Sequence, residues 1–121
     1  MNINRLHHVQ ITIPQGNESL GKHFYCEILG LPEVIKPASL QGRGGFWLQL
    51  GPQQIHIGTE AHVNRLATKA HIAYEVDDLK TWHTHLKQHQ VEIIESVPIP
   101  GFARFEFRDP FGNRIEMIQS I

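Results

Sequence analysis

The chain has 121 residues, 40% of them hydrophobic and 19% charged, enough for a globular domain with a real core. Its formal net charge is -1 and no run of Lys or Arg exceeds two, which argues against nucleic acid as the main partner, because phosphate binding needs a basic face. No apolar run approaches membrane-spanning length, the first residues carry no signal-peptide core, and the single cysteine, Cys26, cannot form an internal disulfide, so a reducing cytoplasm is expected.

Residues 6–13 alternate and are rich in β-branched side chains, the pattern of a strand. Pro14-Gln15-Gly16 breaks it, and Asn17 is placed to cap a helix over about 18–29, with Leu20, Phe24 and Ile28 on one face. Gly30 then stands where a helix-ending glycine belongs, with Pro32 after it. Residues 33–36 read as a short strand, 37–45 as a glycine-containing loop, and 46–50 with 54–58 as a hairpin around Gly51-Pro52. Residues 59–69 are polar and read as a linker.

The pattern then begins again. Residues 70–76 form a strand, Asp77 or Asp78 caps a helix over about 79–89 with Leu79, Trp82 and Leu86 inward, and 91–94 is a short strand. Residues 103–107 and 114–119 make a hairpin around Asp109-Pro110-Phe111-Gly112-Asn113. The order β-α-β-β-β occurs twice, module one over about 5–58 and module two over about 70–120, within one domain spanning 1–121. Gly45-Phe46 in the first copy answers Gly101-Phe102 in the second.

The repeat aligns side chains that can bind metal. His8 opens the first copy as His71 opens the second, and His56 near the end of the first answers Glu116 near the end of the second. Alternation along a strand puts Gln10 and Thr12 on the face of His8, Glu75 on that of His71, Gln54 on that of His56 and Arg114 on that of Glu116. These polar residues are odd core filling but suit the lining of a cavity. Imidazole and carboxylate are the donors that a divalent ion of borderline softness takes, and a set of two His and one carboxylate leaves positions open for a substrate. Of the nine histidines, His7 is expected on the outer face, His62 in the linker, and His23, His83, His85 and His89 in solvent. Cys26 has no acid-base partner nearby in sequence and reads as an inert thiol.

Four stretches resemble the vicinal oxygen chelate superfamily, which includes glyoxalase I, fosfomycin-resistance proteins, bleomycin-binding proteins and extradiol dioxygenases. They are Leu6-His7-His8-Val9-Gln10-Ile11, Phe24-Tyr25-Cys26-Glu27-Ile28-Leu29-Gly30-Leu31, His71 through Leu79, and Asp109-Pro110-Phe111-Gly112-Asn113-Arg114-Ile115-Glu116. The resemblance implies an α+β fold of two βαβββ modules in pseudo-two-fold arrangement, forming a half-open barrel around a metal-centred cavity, and a homodimer. It implies a divalent metal (Zn, Ni, Fe, Mn or Co) on His8, His71 and Glu116, with His56 where glyoxalase I-like proteins place a carboxylate that also moves protons. Gln10 stands where fosfomycin-type proteins usually carry Thr. The expected function is a metal-dependent lyase or isomerase acting on a small substrate with vicinal oxygens, with Glu116 and His56 catalytic and Gln10, Glu75 and Arg114 touching substrate. The alternatives are a non-catalytic module that binds or sequesters a small, antibiotic-like molecule, and an Fe(II) extradiol-type dioxygenase.

Overall fold

The computed structural model describes residues 1–121 and divides into two compact units, Met1–Val63 and Asn64–Ile121. In the first, β1 (His8–Ile13) runs parallel to β4 (Gln53–Thr59), which pairs antiparallel with β3 (Phe46–Leu50), and β3 with β2 (Glu33–Val34), giving the order β1-β4-β3-β2. The helical segment between β1 and β2 starts as α1 (Glu18–Lys22) and widens to a π-helical turn over His23–Ile28. The amide of Leu29 donates to Phe24 O at 2.9 Å, five residues back. Gly30 ends the segment at φ 77°, a left-handed conformation that costs glycine nothing.

In the second unit β5 (His71–Glu75), β8 (Arg114–Ser120), β7 (Phe102–Arg108) and β6 (Ile94–Glu95) repeat that order, with β5 parallel to β8 and the other pairs antiparallel. α2 (Leu79–Gln88) follows β5, and the Asp78 side chain caps it by accepting from Thr81 N at 3.1 Å. Each unit is thus a β-α-β-β-β module, the α+β architecture expected from the sequence.

The core of each unit follows strand alternation. Ile13, Phe46, Leu48, Ile55 and Ile57 are buried with Phe24, Tyr25 and Ile28 in the first, and Tyr74, Phe105, Phe107, Ile115 and Met117 with Leu86 in the second. Gly21 of α1 lies so close to Ile13 and Phe46 that a Cβ there would meet them at 3.0 and 3.1 Å, a close helix–sheet approach.

Several local expectations change. Asn17 makes no side-chain cap; its amide turns back and donates to Gln15 O at 3.2 Å. The strand expected at 91–94 is instead Ile94–Glu95, where pairing with Glu106 and Phe105 of β7 begins. Thr59 belongs to β4, and the linker contains a helical turn, Arg65–Ala67, with Arg65 buried. Register also re-aligns the repeat. Trp47 lies opposite His56 as Glu106 lies opposite Glu116, so Phe46 corresponds to Phe105, and not to Phe102. Phe46 and Phe102 both begin strands, but β7 pairs three residues further before reaching the equivalent position.

Candidate functional site

In the first unit, His8, Gln10 and Thr12 of β1 stand beside Gln54, His56 and Gly58 of β4, and Trp47 of β3 faces His56 across the next pair. This face is the reverse of the apolar core. His56 is 6% exposed because aromatic rings cover both of its sides. Trp47 lies on one side, with centroids 3.7 Å apart and planes within 2°, and His8 on the other, at 4.1 Å and 19°. Burial, followed by the nearby His8 and His7, pushes the His56 pKa below the ordinary imidazole value. Both effects favour the neutral form of the ring.

An amide relay fixes the proton of that neutral ring. Gln49 Nε2 donates to the carbonyls of Gly51 and Gln53 at 2.7 and 3.1 Å, so Gln49 Oε1 is left to accept from Gln54 Nε2 at 3.1 Å. Gln54 then presents Oε1 to His56 Nε2 at 2.9 Å. An oxygen there requires a donor, so Nε2 carries the hydrogen and Nδ1 keeps its lone pair.

In the second unit, His71, Ala73 and Glu75 of β5 stand beside Arg114, Glu116 and Ile118 of β8, and Arg108, Glu106 and Arg104 of β7 complete the face. Its chemistry is ionic. Glu116 and Glu106 are 6% and 5% exposed. Arg104 binds Glu116 directly and reaches Glu106 at 3.5 Å, while Arg114 binds Glu106 directly. The hydrogen bond from Arg114 holds the Glu106 carboxyl below the usual carboxylate range, against its burial. His71 is exposed, and its Nδ1 donates to Lys69 O at 2.8 Å.

The residues singled out from sequence thus fall on the polar faces of the two sheets. His8, Gln10 and His56 are adjacent in the first unit. His71 and Glu116 share the face of the second with Arg114, whose guanidinium is committed to Glu106. Glu75 is exposed at the far end of β5, opposite Ile118. Sequence reading missed Trp47, Arg104 and Glu106. Alternation with the buried Phe46, Leu48, Phe105 and Phe107 would have placed all three on these faces. Burial, with Glu33 and Glu27 outweighing Lys22, pushes the Cys26 thiol up, consistent with an inert side chain.

In kind, His8 and His56 of the first unit, and His71 and Glu116 of the second, are donors that a borderline divalent ion takes. No group of three or more His, Cys, Asp or Glu side chains is arranged to hold a metal ion. Glu116 in particular would have to exchange Arg104 for a metal.

The model of the Glyoxalase/Bleomycin resistance protein/Dioxygenase superfamily matches residues 5–117. The chain belongs to this superfamily. A crystal structure of a protein from Bacillus anthracis assigned to the glyoxalase family is 38% identical, with a TM-score of 0.93 over 100% of this chain and 98% of that one. A lactoylglutathione lyase from Agrobacterium tumefaciens is 17% identical, with a TM-score of 0.75 over 98% of this chain and 96% of that one. An antibiotic binding protein from a Streptomyces species is also 17% identical, with a TM-score of 0.76 over 100% and 99%. At such identity the last two share the fold. No helix of the superfamily member described here is long and apolar enough to cross a membrane.

Proposed function

We propose that the chain is a metal-dependent lyase or isomerase of glyoxalase type, acting on a small substrate with vicinal oxygens. The observation that supports this reading most is the matched register of the two units. His56 stands opposite Gln10 and Glu116 opposite Ala73, each two residues beyond the position opposite the first-strand histidine, His8 or His71. Donors of metal-binding type thus stand at two matched positions in each unit.

In this reading His8, His71 and Glu116, with or without His56, hold a divalent ion (Zn, Ni, Fe, Mn or Co), which supplies Lewis acidity at the substrate oxygens. Where His56 is not a ligand, it accepts a proton at Nδ1, since the Gln49–Gln54 relay keeps Nε2 protonated. Glu116, ion-paired with Arg104, is the second acid-base group. Gln10, Glu75 and Arg114 orient the substrate. The protein works in the cytoplasm as a homodimer; a single cysteine and the family resemblance support this.

A second reading is favoured by the grip of Arg104 on Glu116 and the lack of a ready three-donor group. In it the polar faces bind a small molecule without catalysis, as the printed name of the Streptomyces protein says of that protein.

Elemental analysis of protein purified without chelator separates the two. The metalloenzyme reading expects one divalent ion per chain, lost in His8→Ala and in Glu116→Ala. Metal-free protein, or metal retained in both variants, would overturn it.

A further inference from the structure

The first unit contains a cavity of about 450 Å³ that extends from the His56 face to the turn-rich segment before β3. Its size suits a small organic molecule. His8, His56, Gln10 and Trp47 line it together with Lys36, Arg43 and Gly44; Gly44, which accepts from Lys36 and follows Arg43, lies against Thr59, three residues along β4 from His56. No Asp or Glu lines it, although the chain as a whole carries a net charge of -1. The cavity of similar size in the second unit has a different character, with Glu95 on its wall beside Lys80 and Arg104.

Neither cation is neutralised. The ion pairs of the protein are Lys22–Glu33, His23–Glu27 and the Arg104, Arg114, Glu106 and Glu116 network, and none includes Lys36 or Arg43. Lys36 Nζ donates to Gly44 O at 2.6 Å, which occupies one of its three N–H bonds. The segment between the two cations is pinned at several points. Gln41 Nε2 donates to Lys36 O at 3.0 Å, Leu40 N to Pro37 O at 2.9 Å, and Gly45 N to Glu18 Oε1 at 3.3 Å. Gly44 and Gly45 both have positive φ, 75° and 78°, and a Cβ on Gly45 would lie 2.0 Å from Ile57 O. The backbone that carries Arg43 therefore runs against β4 in a path that needs glycine. Two cations outside any ion pair, with no carboxylate among the lining residues and the nearest one, Glu18, turned to the Gly45 amide behind Gly44, form a receptor for negative charge. The guanidinium of Arg43 adds the planar fork that matches carboxylate and phosphate oxygens.

We propose that this cavity binds the anionic end of a small organic acid, a carboxylate or phosph(on)ate held by Lys36 and Arg43, with the rest of the ligand directed toward His56. The direction rests on the reading of His8 and His56 as site residues; the anion contact itself needs no metal. It narrows the substrate class from small molecules with vicinal oxygens to those that also carry a fixed negative charge.

The test uses the full chain stripped of metal with EDTA and then dialysed free of the chelator, titrated calorimetrically with phosphonoacetate, inorganic phosphate, malonate and the neutral malonamide, while amide NMR signals of Gly44, Gly45 and Trp47 are followed. At least one anion should bind saturably at millimolar or lower concentration and move those signals, malonamide should not, and added salt should weaken binding. Binding by malonate alone assigns a carboxylate receptor, and binding by the phosphorus anions alone a phosph(on)ate receptor. Arg43→Gln, at an exposed position, and Lys36→Gln should each weaken binding about tenfold or more, which is the loss of one charge-assisted contact, with Lys80→Gln unchanged. No saturable binding up to about 10 mM, equal binding of malonamide, or undiminished binding in both variants would overturn the proposal. Because the titration is free of metal, its failure leaves the elemental analysis above untouched, and the reverse holds too.

Discussion

The two units have one backbone plan and two different ways of holding a polar group in a buried place. At the position opposite β3 the first unit has His56, packed between Trp47 and His8. At the position opposite β7 the second has Glu116, gripped by Arg104. A neutral imidazole can be covered by rings because it needs only one or two hydrogen bonds, and a glutamine chain supplies them. A carboxylate cannot be covered so; removed from water, it requires a cation. The residue across the strand differs accordingly, Trp47 in one unit and Glu106 in the other, the latter tied to Arg114 and Arg104. The strand pattern decides where the functional groups stand, and the cross-strand neighbour decides what charge they can hold.

The largest effect that would test the shared plan is in the cores. Phe107 and Leu48 occupy equivalent positions and both are fully buried, so Phe107→Ala should cost about 4 kcal/mol and Leu48→Ala about 3 kcal/mol of unfolding free energy, measured by denaturant titration. A large loss at only one of them would break the equivalence. Next comes the contrast itself. Arg104→Met leaves Glu116 without its cation and should destabilise by about 3 kcal/mol. Trp47→Leu, which removes one ring from a neutral stack, should cost about 1 kcal/mol beyond its buried area. If Arg104→Met proves nearly neutral, the second unit does not depend on charge as described.

Glycine gives a finer test. Both Gly45 and Gly101 have positive φ, but a Cβ on Gly101 meets nothing within 4 Å. Gly101→Ala should cost only the left-handed strain of about 1 kcal/mol, and Gly45→Ala clearly more, since something must move away from Ile57 O. The smallest effect is expected at Asp78. Hydrogen bonds from the Thr81 hydroxyl and amide hold its carboxyl below the usual carboxylate range. A depressed folded pKa contributes stability above the unfolded value of about 3.9, and this is lost as pH falls through the folded value. Asp78→Ala should lower the melting temperature slightly at pH 7, and the difference from wild type should shrink in acid. Asn17→Ala, where no side-chain cap exists, should show no such pH-dependent difference.

Much of this was determined by the sequence alone. The doubled β-α-β-β-β order follows from period-two and helical spacing between turn residues. The shared face of His8 with Gln10, of Gln54 with His56, of His71 with Glu75 and of Arg114 with Glu116 follows from alternation, because successive side chains on a strand point opposite ways. The Asp78 cap and Gly30 terminus were also readable, since both depend on residues a few positions apart.

What only the tertiary structure decided is pairing across strands. Register depends on where each hairpin closes and how far each strand runs, which residue types do not specify. It aligned Phe46 with Phe105 in place of Phe102, brought Trp47 over His56 and Arg104 onto Glu116, and moved the short strand of the second unit to Ile94–Glu95. It also collected Lys36 and Arg43, which are unremarked in the sequence, on the wall of the same cavity as His56. Alternation assigns a side chain to a face from its neighbours in the chain, whereas the charge state and partner of that side chain depend on residues brought beside it by folding.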